Sequence, residues 1–212
     1  LSDMRGELNR IIGTTEGILD LLRLKGHYEE SLANPVLELE NLVKTYSTSL
    51  NEVEVRLEAE GLASADGLGS HDVTGAFEDG SQAGGERGSR NIAITLSPVV
   101  LRLVASNLLD NAIKYSEPGG IVTVRCYRSD GDLVLSVQDR GIGIAASEIP
   151  RLFERFYRVD SARRKSTGGA GLGLAIVKEA CDRTGAVISV ESEPGRGSTF
   201  TVIWRDVCGS RK

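Results

Sequence analysis

The chain has 212 residues, 40% of them hydrophobic, and 30 acidic against 25 basic residues give a formal net charge of -5. That much apolar sequence builds one compact core with an appendage, and the acidic balance excludes a nucleic-acid partner held by a phosphate-neutralising surface. Cys126, Cys181 and Cys208 form no C-x-x-C pair and no Cys/His cluster, which excludes a disulfide framework and a zinc site and fits a reducing, cytoplasmic setting. No apolar run is long enough to cross a bilayer, so a membrane connection is expected only through segments outside this chain.

In chain order, Leu8, Ile11, Ile12, Thr15, Ile18, Leu19 and Leu22 fall on one heptad-type stripe, and Gly26 offers a stop. Leu32, Val36, Leu39, Val43, Tyr46 and Leu50 repeat by alternating fours and threes after Asn34-Pro35, a cap and first turn. Residues 1–52 therefore read as a helical hairpin. Two narrow seams bury little alone, so the expected remedy is a homodimer in which two hairpins form a four-helix bundle. The competing arrangement packs those seams on the rest of the chain. Residues 53–60 alternate apolar and charged and open a second domain, 53–206, as an edge strand. Residues 61–90, rich in Gly, Ser, Asp and Ala, read as a flexible insertion in which His71 is solvated.

From Asn91 the chain is dense again. Asn91 to Leu96 suits a strand, and Ser97-Pro98 caps a helix running to Tyr115 whose stripe is Leu101, Val104, Leu108 and Ala112. Asn107, Asn111 and Lys114 share another face, where amide oxygens could hold magnesium and an ammonium could neutralise phosphates; the simpler alternative is a polar surface. Strands Ile121 to Tyr127 and Leu133 to Gln138 flank a hairpin signal, Asp130-Gly131. The second strand delivers Asp139 beside Gly141 and Gly143, where a carboxylate can accept from an exocyclic amine while glycines admit a flat ring. Gly141 to Ala146 also fits a dinucleotide fingerprint, but the preceding strands are joined by a hairpin rather than crossover helices, and no Walker motif exists.

Residues 144–168 hold an aromatic patch, Phe153 to Tyr157, then Arg158 and a basic loop through Lys165, placed to close over a ligand as a lid. Arg155, Arg158 and Lys165 are its candidate phosphate contacts. Gly168 to Lys178 runs four glycines into a helix, a geometry that turns N-H groups and a helix dipole toward an anion. Strands Val187 to Glu191 and Gly197 to Trp204 close a mixed sheet faced on one side by helices, an α+β sandwich.

Asn107 to Ser116, Asp139 to Gly143, Phe153 to Tyr157, Gly169 to Leu174 and Gly197 to Phe200 resemble, in order, the boxes of the sensor histidine kinase catalytic domain. That domain shares a superfamily with DNA gyrase and with mismatch-repair and chaperone ATPases. The resemblance implies ATP with Mg2+ in a Bergerat-type pocket. Asp139 would meet the adenine amine, Asn107 and Asn111 the metal, and Lys114 and Tyr115 the phosphates, with Gly169, Gly171 and Gly173 under the lid. Gly141, Gly143, Arg158, Leu172 and Thr199 complete the expected ATP-binding set. Hydrolytic relatives carry a glutamate where Asn107 stands, so phosphotransfer fits better than hydrolysis.

The hairpin resembles the family's dimerisation and phosphoacceptor domain. Asp3 to Gly13 aligns with the acceptor motif, but Ser2 stands where the phosphorylated histidine should be, Glu7 replaces the usual proline, and His27 is too far along to substitute. Asp3 matches the acidic neighbour that would act as base. The expectation is a two-component histidine kinase core that passes the γ-phosphoryl to a hairpin histidine and then to a response regulator, with this chain binding nucleotide but lacking its acceptor. The alternative is a pseudokinase, an ATP-dependent protein-interaction module without phosphotransfer.

Overall fold

The turn at Asp130-Gly131 sets the centre of the sheet. Both residues take positive φ, 50° and 95°, the pairing that lets a two-residue loop follow the natural twist of its strands. A computed structural model describes Thr15 and residues 32–48, 53–60, 94–159, 170–205 and 207. The first helix of the expected hairpin apart from Thr15, together with Ser2, Asp3, the 61–90 stretch, Lys165 and Gly169, lies outside the described residues. In order the elements are β1 (Leu32–Ala33), α1 (Pro35–Thr48), β2 (Glu54–Glu60), β3 (Ile94–Thr95), α2 (Pro98–Tyr115), β4 (Ile121–Ser129), β5 (Asp132–Gln138), a 3-10 turn (Ile149–Arg151), α3 (Gly173–Thr184), β6 (Val187–Glu193) and β7 (Gly197–Trp204). Among the described residues no helix is long and apolar enough to cross a membrane.

The main sheet runs β2-β4-β5-β7-β6, with β2 parallel to β4 and the other pairs antiparallel. Register places Val124 opposite Val137 and Val137 opposite Phe200, while Cys126, Leu135 and Val202 form the next cross-strand row. All six are buried against Leu101, Val104 and Leu108 of α2 and Ile176 and Val177 of α3. Each such side chain contributes about 1.5–3 kcal/mol of burial, which makes the helix-facing side of the sheet the core. This is the expected α+β sandwich. Of the expected 91–96 strand, Ile94–Thr95 pairs among the described residues with Leu32–Ala33 in a separate two-stranded ladder.

The second helix of the expected hairpin forms as α1, but its seam is already covered. The Asn34 side chain accepts from the backbone N-H of Val36 at 3.1 Å and of Leu37 at 3.3 Å, capping the start. Val36, Leu39 and Val43 are buried in the same cluster as the sheet and α2. The Tyr46 hydroxyl donates to Asp110 Oδ1 at 2.7 Å, and Arg102 pairs with Glu38 at 2.6 Å across the two helices. Burial, then the hydrogen bond to Asp110, pushes the Tyr46 phenol far above its ordinary range. For this helix the structure shows the competing arrangement: heptad spacing specifies an apolar stripe without naming what covers it, and here α2 and β2 pack on Val36, Leu39 and Val43. Leu39, only 1% exposed, tests the arrangement. Leu39→Ala is expected to lower unfolding free energy by about 2–5 kcal/mol, measured by denaturant titration at several protein concentrations. A loss that depends on concentration would instead place this seam between copies.

Candidate functional site

The strand-end carboxylate expected from sequence is buried and held from two sides. Asp139 follows β5 directly and is 5% exposed. Its backbone N-H donates to the Ser198 carbonyl at 2.9 Å. In return its Oδ1 accepts from Gly141 N-H at 2.8 Å and Ser198 N-H at 3.3 Å. Oδ2 has no partner among the described residues. Burial holds the carboxyl above its ordinary value, and the two backbone donors oppose that shift. A side chain at position 141 would put its Cβ 2.1 Å from the Tyr115 carbonyl. Glycine there lets the Asp139 loop close on the end of α2, where Ile142 N-H reaches the same carbonyl at 3.3 Å.

That loop borders a cavity of about 430 Å³, within the range of small-molecule sites. Asp139, Gly143, Asn107, Asn111, Lys114, Tyr115, Arg158, Gly171, Leu172 and Gly173 all line it, so α2, the strand end, the aromatic segment and the glycine turn do converge. Asn107 lies eight residues before Tyr115, about 12 Å back along the helix axis at 1.5 Å per residue. Its Nδ2 donates one N-H to the Leu103 carbonyl at 2.9 Å, and its oxygen lies 3.0 Å from where a Cβ on Gly173 would sit. Lys114 is pulled below its ordinary pKa, first by burial and then by repulsion from Arg158. Two cations facing one partly dry cavity favour an anion between them.

Gly171 ties the far side together. Its φ is 71°, its carbonyl accepts from Phe156 N-H at 2.9 Å, and a Cβ there would meet the backbone of Phe156 and Tyr157 at 2.9 Å. The aromatic segment and the glycine run are thus joined at their bases. Tyr157 donates to Glu148 and stacks under Arg151, 4.1 Å from its ring centre, which fixes the segment next to Arg158.

Three expectations are placed differently. Thr199 faces the other side of β7, in register with Gln138 and Glu191; Ser198 lines the cavity instead, because Phe200, Val202 and Trp204 set the inward phase of the strand. Gly141 supports Asp139 from behind rather than lining the cavity. Arg155 lies 3.7 Å from Glu179 on α3, outside the lining. Sequence reasoning also missed Asp110, one turn after Asn107, and Ser106, one turn before Asp110, which helical periodicity could have added.

Residues 97–207, just over half the chain, match the family described as histidine kinase-, DNA gyrase B-, and HSP90-like ATPase. The chain belongs to that ATPase family. The phosphate regulon sensor protein PhoR of Pseudomonas aeruginosa is 50% identical over 105 residues, half of this chain. The match spans 24% of that relative's length. The structure of the mycobacterial sensor histidine kinase MprB is 26% identical, covering 81% of this chain and 91% of its own at a TM-score of 0.52. Full-length ShkA, solved with AMPPNP, shares the fold at 22% identity and a TM-score of 0.64, covering 95% of this chain and 37% of its own. The ATPase-family match begins at Ser97, the residue before α2, and runs through β7, so the cavity described here falls wholly within it.

The raised Asp139 pKa has a consequence for stability. Because the folded carboxyl binds its proton more tightly than the unfolded one, its contribution falls as pH rises from the ordinary carboxylate value through the raised one. Asp139→Asn keeps an acceptor for Gly141 and Ser198 while removing the buried charge. It is expected to raise the melting temperature of the unliganded protein at pH 7 and to flatten this pH dependence, read by thermal denaturation between pH 4 and pH 7; a lower melting temperature at pH 7 contradicts it.

Proposed function

We propose that this chain is the nucleotide-binding core of a two-component sensor histidine kinase, which binds ATP and supplies its γ-phosphoryl group for transfer to a histidine and then to a response-regulator aspartate. One observation carries the reading: a buried carboxylate whose first oxygen is consumed by two backbone donors, leaving its second to meet an amine in a cavity that also holds Asn107, Asn111, Lys114 and Arg158. Asp139 takes the adenine amine, with Gly141 holding the loop and Gly143 and Ile142 beside the base. Lys114, Tyr115, Arg158 and the turn Gly171-Leu172-Gly173 take the phosphates, with Gly169 in the same run. The first N-H groups of α3 have no partner within the helix and add donors there.

Asn107 and Asn111 fit magnesium, because each offers an amide oxygen, the ligand atom that this ion prefers, and the Nδ2 bond to the Leu103 carbonyl orients that of Asn107. The ion, when bound, neutralises phosphate charge. The chain's own residues orient the nucleotide and supply positive charge, which is most of what phosphoryl transfer requires. The Asn107 amide is not basic at neutral pH, so it cannot take a proton from water as a carboxylate would, and transfer to a protein acceptor is favoured over hydrolysis. The acceptor half of the reaction belongs to the hairpin stretch, with Asp3 as base and Ser2 at the acceptor place. In this reading the kinase works as a homodimer and, in an intact form with histidine at the acceptor place, presents the phosphohistidine to a receiver domain.

The test is a calorimetric titration with a nonhydrolysable ATP analogue, with and without Mg2+, on the wild type and Asp139→Asn. The wild type is expected to bind, with higher affinity when Mg2+ is present. The variant, whose amide turns a donor toward the base, is expected to lose about tenfold or more. Equal affinity in the two proteins contradicts the assignment.

A further inference from the structure

A serine one strand away from the cavity bonds to a hydroxyl-bearing residue on the cavity wall. Ser192 on β6 is paired in register with Ser198 on β7. A serine hydroxyl has one proton to give and two lone pairs to fill, and all three are engaged here. The Ile144 N-H donates to Ser192 Oγ at 2.8 Å. Ser192 Oγ lies 2.9 Å from the Gly197 carbonyl oxygen and 2.9 Å from Ser198 Oγ. A carbonyl has no proton, so the Ser192 proton goes to Gly197. The remaining lone pair of Ser192 then takes the proton of Ser198.

This settles the direction of a group at the cavity wall. Ser198 is 6% exposed, lines the cavity, and exchanges backbone hydrogen bonds with Asp139. With its proton held by Ser192, its hydroxyl has only lone pairs left to offer a ligand. Asp139 Oδ2 is likewise an acceptor. We infer that Ser192 is a specificity-determining positioning residue: by holding the Ser198 proton it makes the base-binding wall an acceptor-only surface, which selects a purine bearing an amine and rejects one bearing a keto oxygen at that position. The inference rests on the nucleotide reading above and adds to it the residue that sets base preference. A keto oxygen at this wall would face a carboxylate and a hydroxyl that have no proton to give, and such unpaired polar contacts weaken binding more than a missing attraction does. Without Ser192, the Ser198 hydroxyl is free to rotate and donate to that oxygen.

ATP and the triphosphate of 6-methoxypurine riboside share ribose, phosphates and an unprotonated N1 and differ in the group at C6, an amine in one and an oxygen acceptor in the other, so their affinity ratio isolates the effect. Calorimetry on the wild type, Ser192→Ala, Ser192→Thr and the double variant Ser192→Ala/Ser198→Ala reads it. The wild type is expected to prefer ATP by about tenfold or more. Ser192→Ala narrows that ratio by about threefold or more, Ser192→Thr keeps it, and the double variant, with no hydroxyl to redirect, returns toward the wild-type ratio. A merely structural Ser192 would weaken both nucleotides equally, and an unchanged ratio in Ser192→Ala overturns the inference while leaving ATP binding intact. Should Ser192→Ala lose its fold by circular dichroism, Ser192→Cys, a weaker acceptor of similar size, is expected to shift the ratio in the same direction, and no shift overturns the inference. A wild type that binds neither nucleotide overturns the nucleotide reading together with this one.

Discussion

The rest of the site depends on how a single carboxylate is held. Asp139 is placed in a nearly dry environment, which would ordinarily drive it to neutrality. Two backbone donors, from Gly141 and Ser198, offset part of that cost and fix the plane of the group. Both come from the fold: Ser198 from the strand next to β5, and Gly141 from a loop that can reach Asp139 only because no side chain stands between it and the Tyr115 carbonyl. The carboxylate is costly in the free protein and directional toward a ligand, a combination typical of sites whose ligand completes the hydrogen bonding.

The sheet and α2 explain why the remaining groups meet at this place. Strand alternation aims Ser198 and Ser192 to the same side as the core residues Phe200 and Val202, so the polar wall is a continuation of the apolar packing. Helix periodicity does the same for Asn107, Asn111 and Lys114, which share α2 with the buried Val104, Leu108 and Ala112. Deep packing on one side of each element keeps the functional side rigid, which is what a site that works by positioning and charge requires. α1 extends this coupling, since Tyr46 reaches Asp110 on the cavity wall while its neighbours Val36, Leu39 and Val43 lie in the core.

Most of the fold and much of the cavity were legible in the residues. The Asp130-Gly131 turn, the helix that starts at Pro98, the glycine at position 185 in left-handed conformation after α3, and the inward strand phases follow from local chemistry, although the Ser97 side chain makes no capping hydrogen bond. Asp139, Asn107, Asn111, Lys114 and the glycine turn stand out because such residues rarely cluster by accident. What was not legible depended on tertiary context. The α1 stripe announced an apolar face, but only the folded chain shows α2 and β2 covering it. Thr199 and Ser198 are chemically alike in the sequence, and the phase set by Phe200 separates them. Ser192 carried no motif at all; its role emerges from counting protons across three partners that lie up to 48 positions away in the chain.

The central claim is that this cavity receives an adenine nucleotide with its amine on Asp139. A crystal structure of the chain with a nonhydrolysable ATP analogue and Mg2+ tests it most directly. The account predicts the exocyclic amine within hydrogen-bonding distance of Asp139 Oδ2, and the phosphates between Lys114, Arg158 and the turn at Gly171 to Gly173. A nucleotide bound elsewhere, or one seated with its phosphates against Asp139, would contradict it.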